Sequence, residues 1–182
     1  MLIILVIIAA VIILWLIISY NLFVRDKNLI KEAWSGIDVQ LKRRHNLIPG
    51  LVETVKAYST HERKLFNEIT EKRSKSEQTQ NLKDKASAET DISGLLKNLF
   101  LVVEDYPDLK ANVNFLDLQS QLTDIEDQLQ YSRRYFNGTV RNYNIRVESF
   151  PGNIIAGIFG FKPEDFFEIT LATERKTPKV EL

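Results

Sequence analysis

Cysteine is absent from this chain, and with it any disulfide framework, cysteine-built zinc site or thiol nucleophile. Histidine is nearly absent: His45 and His61 are too few for a histidine-based metal cluster. Net charge is missing as well. Across the 182 residues, 24 basic side chains balance 24 acidic ones, so no global field draws the chain to nucleic acid. Glycine and proline are sparse, at seven and five residues. The remainder, rich in Leu, Lys, Glu and Gln, is a composition of long helices. No glycine-rich phosphate loop is present.

What the chain has in quantity is apolar residues at its start. Leu2–Ile18 is an unbroken apolar run, extended by Leu22, Phe23 and Val24. As a helix, residues 2–24 reach roughly 35 Å, enough to cross a hydrocarbon core of about 30 Å. A run without a polar face makes a poor core helix. A cleaved signal peptide would need a basic n-region before it and a small-x-small site after it, and neither is there. Residues 1–24 therefore read as a retained transmembrane anchor. Arg25, Lys27 and Lys31 follow the run and no Lys or Arg precedes it. The positive-inside rule then places a short N-terminus outside and the bulk of the chain in the cytoplasm.

Residues 25–149 carry helical periodicity that fades over the polar stretch 71–81, a fraying end and connection. Ile30, Trp34, Ile37 and Leu41 mark a first apolar face, and Ile48, Leu51, Val52, Val55, Leu65, Phe66 and Ile69 a second. After the polar stretch 71–81, Ile92, Leu95, Leu99 and Val102 face inward from a helix over about 82–106. Leu118, Leu122, Ile125, Leu129, Phe136, Val140, Tyr143 and Val147 form one seam along a helix over about 109–149. The seam from Ile30 to Val55 stays in phase through Pro49, so periodicity does not choose between a hairpin there and a kinked helix. Asn46 is a competent N-cap and proline fits a first turn. Splitting the segment also gives four helices of comparable length. The expectation is an all-α fold: an N-terminal transmembrane helix leading into an antiparallel four-helix bundle, with a reversal at Pro49.

Three blocks carry a family resemblance: AWSGIDVQLKRRHNLIPGLVETVKAY (33–58), QLTDIEDQLQYSRRYFNGTVRNYN (121–144) and FPGNIIAGIFGFKPEDFFE (150–168). In this order they resemble the LemA family of bacterial membrane proteins, over nearly all of the chain. The resemblance implies an N-terminal anchor, an antiparallel four-helix bundle (25–149), no established enzymatic activity, and association with membrane-remodelling or envelope-stress partners. Departures are small. Asn46 stands where the family commonly has Asp, and Phe136 and Gly138 vary a Tyr-Asn-rich stretch.

Two sets of residues are candidates for function. Glu126, Arg133, Asn137 and Asn144 fall on one stripe of the last long helix, half buried beside its apolar seam. They form either a polar site on the bundle wall or an interhelical network that fixes register, meeting Asp38 or Arg44. A lone carboxylate with no second acid, histidine or metal ligand nearby makes a weak catalytic case. No catalytic, cofactor-binding or metal-ligating residue is assigned. His61-Glu62 lacks the second histidine of a zincin helix, Leu65 standing in its place. Lys42-Arg43-Arg44 reads as a solvated cluster at a helix end.

The second set is Phe150, Phe159, Phe161, Phe166 and Phe167, half of the chain's ten phenylalanines. They belong to a segment spanning 150–172, either a lid on the bundle or a membrane or subunit contact. Residues 173–182 read as a frayed tail. The expected partners are the lipid bilayer, further copies of the chain and other membrane proteins, with no nucleic acid and no cofactor. The expected role is a non-enzymatic scaffold of the bacterial inner membrane. An adaptor in envelope-stress signalling or proteolysis, and a hydrolase, are the rivals.

Overall fold

The computed structural model describes residues 1–59 and 61–167, so the expected tail at 173–182 lies outside the described residues. Every regular element among them is helical: α1 (Leu2–Lys56), α2 (Arg63–Gln78), α3 (Leu82–Val103), α4 (Pro107–Lys110), α5 (Val113–Glu148) and α6 (Gly152–Phe159). The apolar start of α1 is long enough to cross a membrane, and its most apolar 18-residue stretch has none of its residues buried.

The expected reversal at Pro49 is corrected. α1 runs unbroken from the apolar run to Lys56 with Pro49 inside it. A proline there removes one backbone hydrogen bond and strains the preceding turn, at about 3 kcal/mol. Continuing in phase buries Ile48, Leu51, Val52 and Val55 on the face already set by Ile37 and Leu41, which offsets that cost. The chain turns only after Lys56, where the amides of Tyr58 and Ser59 both bond back to the Val55 carbonyl at 3.0 and 2.9 Å. The expected second helix is thus divided between the end of α1 and α2. Two other boundaries move for local reasons. Pro107 starts the short α4, placed between the two expected helices. Asn112 then opens α5, its side-chain oxygen accepting from the Phe115 amide at 3.2 Å.

The described chain forms two compact units, one of residues 1–39 and 129–166, the other of 40–128 and Phe167. In the second, one core joins Leu51 and Val55 of α1, Phe66 and Ile69 of α2, Ile92, Leu96 and Leu99 of α3, Leu109 of α4, and Phe115 and Leu122 of α5. Neighbours there run antiparallel. Lys72 meets Asp91 and Ser76 meets Glu89 between α2 and α3, while Arg44 meets Glu126 between α1 and α5. Leu96 and Val103 point inward where the spacing predicted Leu95 and Val102, a shift of one position on the same helix face.

In the other unit α1 and α5 are also antiparallel. Phe23 packs edge-on to Tyr143 at 6.2 Å and Trp34 lies 5.8 Å from Phe136. α6 folds against them through Ile155 and Ala156. Gly152 begins α6 where a Cβ would lie 2.3 Å from the Arg146 carbonyl oxygen, so only glycine allows this close approach. Gly160, at φ 71°, ends the helix in the left-handed conformation.

Candidate functional site

A charged centre sits inside the unit of residues 40–128. Arg44 and His45 are consecutive on α1, about 100° apart, and both are buried. They converge on Glu89 of α3, which is 0% exposed. Arg44 donates Nη1 to Glu89 Oε2 at 3.2 Å and Nη2 to Ser93 Oγ at 2.7 Å. Its Nε lies 2.9 Å from Glu126 Oε1 on α5. His45 Nε2 stands 2.7 Å from Glu89 Oε1, and the Ser76 hydroxyl of α2 donates to that same oxygen. Nδ1 of the imidazole faces Glu77 at 3.6 Å, and Arg73 reaches that Glu77 carboxylate at 3.2 Å. Four long helical segments thus contribute to one group of ionic and hydroxyl side chains.

Electrostatics around Glu89 are opposed and resolved. Burial pushes its carboxyl pKa up, but the bonds from His45 and Ser76 and the charge of Arg44 outweigh burial, so it falls below the ordinary value of 4.5. The carboxylate is therefore held ionised. The arrangement does not resemble a hydrolytic triad, in which the histidine stands between acid and nucleophile. Here His45 and the Ser76 hydroxyl bond the same carboxylate oxygen. Glu89, Ser76 and Arg44 are fully buried, so no substrate reaches them. What the geometry does is lock register: sliding any one helix leaves a buried charge without its partner, at a cost of about 3–5 kcal/mol.

Of the stripe read from the sequence, Glu126 joins this centre through Arg44. Arg44 itself is not part of a solvated cluster, since α1 does not end there; Lys42 and Arg43 are exposed and Arg44 is buried. Asp38 and Asn137 are half buried and Arg133 is buried, all in the other unit. Asn144 has a separate task. Its Nδ2 donates to the Glu164 carbonyl and its Oδ1 accepts from the Glu164 amide, both at 2.9 Å, so one side chain pins the extended segment after α6. Beside it, Asp26 is buried and accepts from Arg146 Nε at 2.7 Å.

Glu89, Ser76, His45 and Asp26 were not singled out by the sequence reading, although a signal existed. Asp26, Ile30, Ala33, Ile37, Leu41, Arg44 and Ile48 share one helical face, as do Ala86, Glu89, Ile92 and Leu96. A charge standing in an apolar register marks a buried partner.

The phenylalanines separate by environment. Phe150 and Phe159 are 80% and 51% exposed, and Phe166 is 37% exposed. Phe161 stacks on Phe23 at 4.8 Å, and Tyr20 meets both Phe159 and Phe161 at 4.9 and 5.8 Å. Phe167 is 2% exposed, which removes it from the residues free to meet lipid or a second subunit.

The LemA family profile matches residues 33–182. Among relatives, Magnetosome protein MamQ 1 of Paramagnetospirillum magneticum is 25% identical over 179 aligned residues, covering 84% of this chain and 66% of that protein. Magnetosome protein MamQ of Magnetospirillum gryphiswaldense is 26% identical over 178, covering 84% and 65%. Protein LemA of Metamycoplasma hominis is 29% identical over 140, covering 75% and 63%. The chain thus spans a little under two thirds of the length of these relatives. With the profile covering all but the apolar helix and its first turns, the chain belongs to the LemA family.

Proposed function

We propose that this protein is a self-associating, non-catalytic helical scaffold held in the bacterial inner membrane by α1, with its helical body in the cytoplasm. The observation that carries this reading is the start of α1, an apolar stretch none of whose residues is buried. Isoleucines and leucines exposed at 50% and more from Leu2 to Ile18 have no stable place in water. Lipid supplies the missing contact at about 25 cal/mol for each Å² of apolar surface covered. Family membership supports membrane association. The basic residues Arg25, Lys27 and Lys31 support the cytoplasmic side. Phe150, Ile158 and Phe159 are exposed apolar side chains available for a second copy to cover.

The chain contains no cysteine, so single introduced cysteines report without ambiguity. Gln80→Cys, in the turn between α2 and α3, should resist an impermeant thiol reagent in intact cells and react after permeabilisation. Labelling before permeabilisation overturns the orientation. Ile158→Cys should form a disulfide-linked dimer in oxidised membranes. Monomer alone under the same conditions overturns self-association at this patch.

A further inference from the structure

A cleft opens beside Arg146 in the unit that holds the anchor. Its volume is about 420 Å³, and its walls include Trp15 and Leu22 of α1, Asn142 and Arg146 of α5, and Ser149 and Phe150 just beyond. Ligand pockets typically begin near 300 Å³. One wall is the last part of the apolar run; the other carries a guanidinium, an amide and a hydroxyl.

Charge beside the cleft, which Arg146 lines, is not balanced. Asp26 accepts from Arg146 Nε at 2.7 Å and lies 3.4 Å from Arg25 Nη2, so two cations share one carboxylate. The neighbouring Lys27 and Glu164, 3.6 Å apart, cancel one another. A guanidinium has five N–H donors, and the bond to Asp26 spends the one on Nε while orienting the planar fork. One unit of positive charge beside a concave apolar wall complements a single anionic phosphodiester with a hydrocarbon tail, and arginine binds phosphate in a bidentate manner. The level also fits: Asp26 and Arg146 stand where α1 changes from apolar to charged, the level of lipid head groups, while Leu22 and Trp15 lie roughly 6 and 16 Å further along the helix, at the depth of acyl chains.

We propose that this cleft binds one phospholipid, its phosphodiester on Arg146 with Asn142 and Ser149, and an acyl chain against Trp15, Leu22 and Phe150. This rests on the membrane-anchored reading above. The lipid differs from those around the bare apolar helix because it touches protein on several sides and is held by its head group.

The test uses the full chain in vesicles of phosphatidylcholine and phosphatidylglycerol doped with a phospholipid carrying an acyl-chain diazirine, with crosslinks mapped by mass spectrometry. Labelling of Leu22, Ile145 and Phe150 should exceed that of Ile3–Ile8 several-fold. It should fall several-fold in the paired variant Asp26→Asn/Arg146→Gln, which leaves no buried charge unpartnered, since the Arg25 side chain is 62% exposed. It should also fall in Phe150→Ser, whose exposed ring is not needed for folding. Inorganic phosphate should not compete; displacement by it overturns the lipid assignment in favour of an anion site. Labelling spread evenly around α1, or unchanged in both variants, overturns the cleft while leaving the anchor intact. Release of the unlabelled chain by alkaline carbonate overturns anchor and cleft together.

Discussion

Residues 40–128 pack aliphatic side chains with Phe66 and Phe115 around the buried Glu89 carboxylate, whereas residues 1–39 and 129–166 stack Phe23 on Phe161 and hold the buried Asp26 against a partly exposed Arg146. Around Glu89 every bond is between side chains of different helices, so the interaction specifies which helices meet and at what height. Around Tyr143 the ring meets Phe23, which in turn stacks on Phe161, contacts that tolerate small slides, and the Tyr143 hydroxyl is buried with no hydrogen-bond partner among the described residues. Buried charge gives uniqueness at the expense of net stability, and ring packing gives area without direction.

The sharpest way to break this contrast is Glu89→Ala. It leaves Arg44 and His45 buried with their main acceptor gone, and the unit should lose about 3–5 kcal/mol. Urea unfolding followed by hydrogen exchange should show protection falling in α2 and α3 first. A loss below about 1 kcal/mol would mean that the charges simply reach solvent.

Gly152→Ala attacks the other unit. Its Cβ would collide with the Arg146 carbonyl, which is backbone and cannot swing aside. Overpacking of this kind costs about 1–3 kcal/mol. It should loosen α6 and raise the solvent accessibility of Phe161, with α2 and α3 unaffected. Fluorine NMR of a labelled Phe161 would report it.

Acid should separate the two units more gently. Because the Glu89 pKa is depressed, its contribution is complete above the ordinary value of 4.5 and is lost as pH falls through the lower, folded value. Stability should therefore drop below about pH 4, more in the wild type than in Glu89→Gln, which removes the titrating group. Equal slopes in the two proteins would place the acid sensitivity elsewhere.

The smallest effect is expected from Tyr143→Phe. Burial raises the pKa of the Tyr143 hydroxyl, with the charges of Glu164 and Asp26 adding to it. Removing a buried group that lacks a partner should leave stability unchanged or raise it by about 1 kcal/mol. A clear loss would reveal a bond the geometry does not show.

Much of this organisation was legible beforehand. The apolar run and most of the inward faces follow from periodicity, although Leu96 and Val103 point inward in place of Leu95 and Val102. Pro49 misled because capping and length arguments are local, whereas the burial of Ile48, Leu51, Val52 and Val55 that carries the helix through it is tertiary. The stripe on α5 pointed to Arg44–Glu126 but missed Glu89, since the search followed polar residues along one helix instead of asking where a charge interrupts an apolar face. Asn144 lay on the stripe, but its task could not be foreseen. Its partner is backbone, and backbone carries no sequence signal.

That last contact bears on how this protein can vary over time. Asn144 holds the peptide of Glu164, not its side chain, and takes both an amide and a carbonyl. Position 164 is thus open to any residue that keeps an N–H, while proline is shut out. Position 144 has no such latitude: aspartate at neutral pH offers an acceptor without a donor, and serine is too short to span both. Descendants of this chain should drift freely at the clasped residue and stay fixed at the clasp.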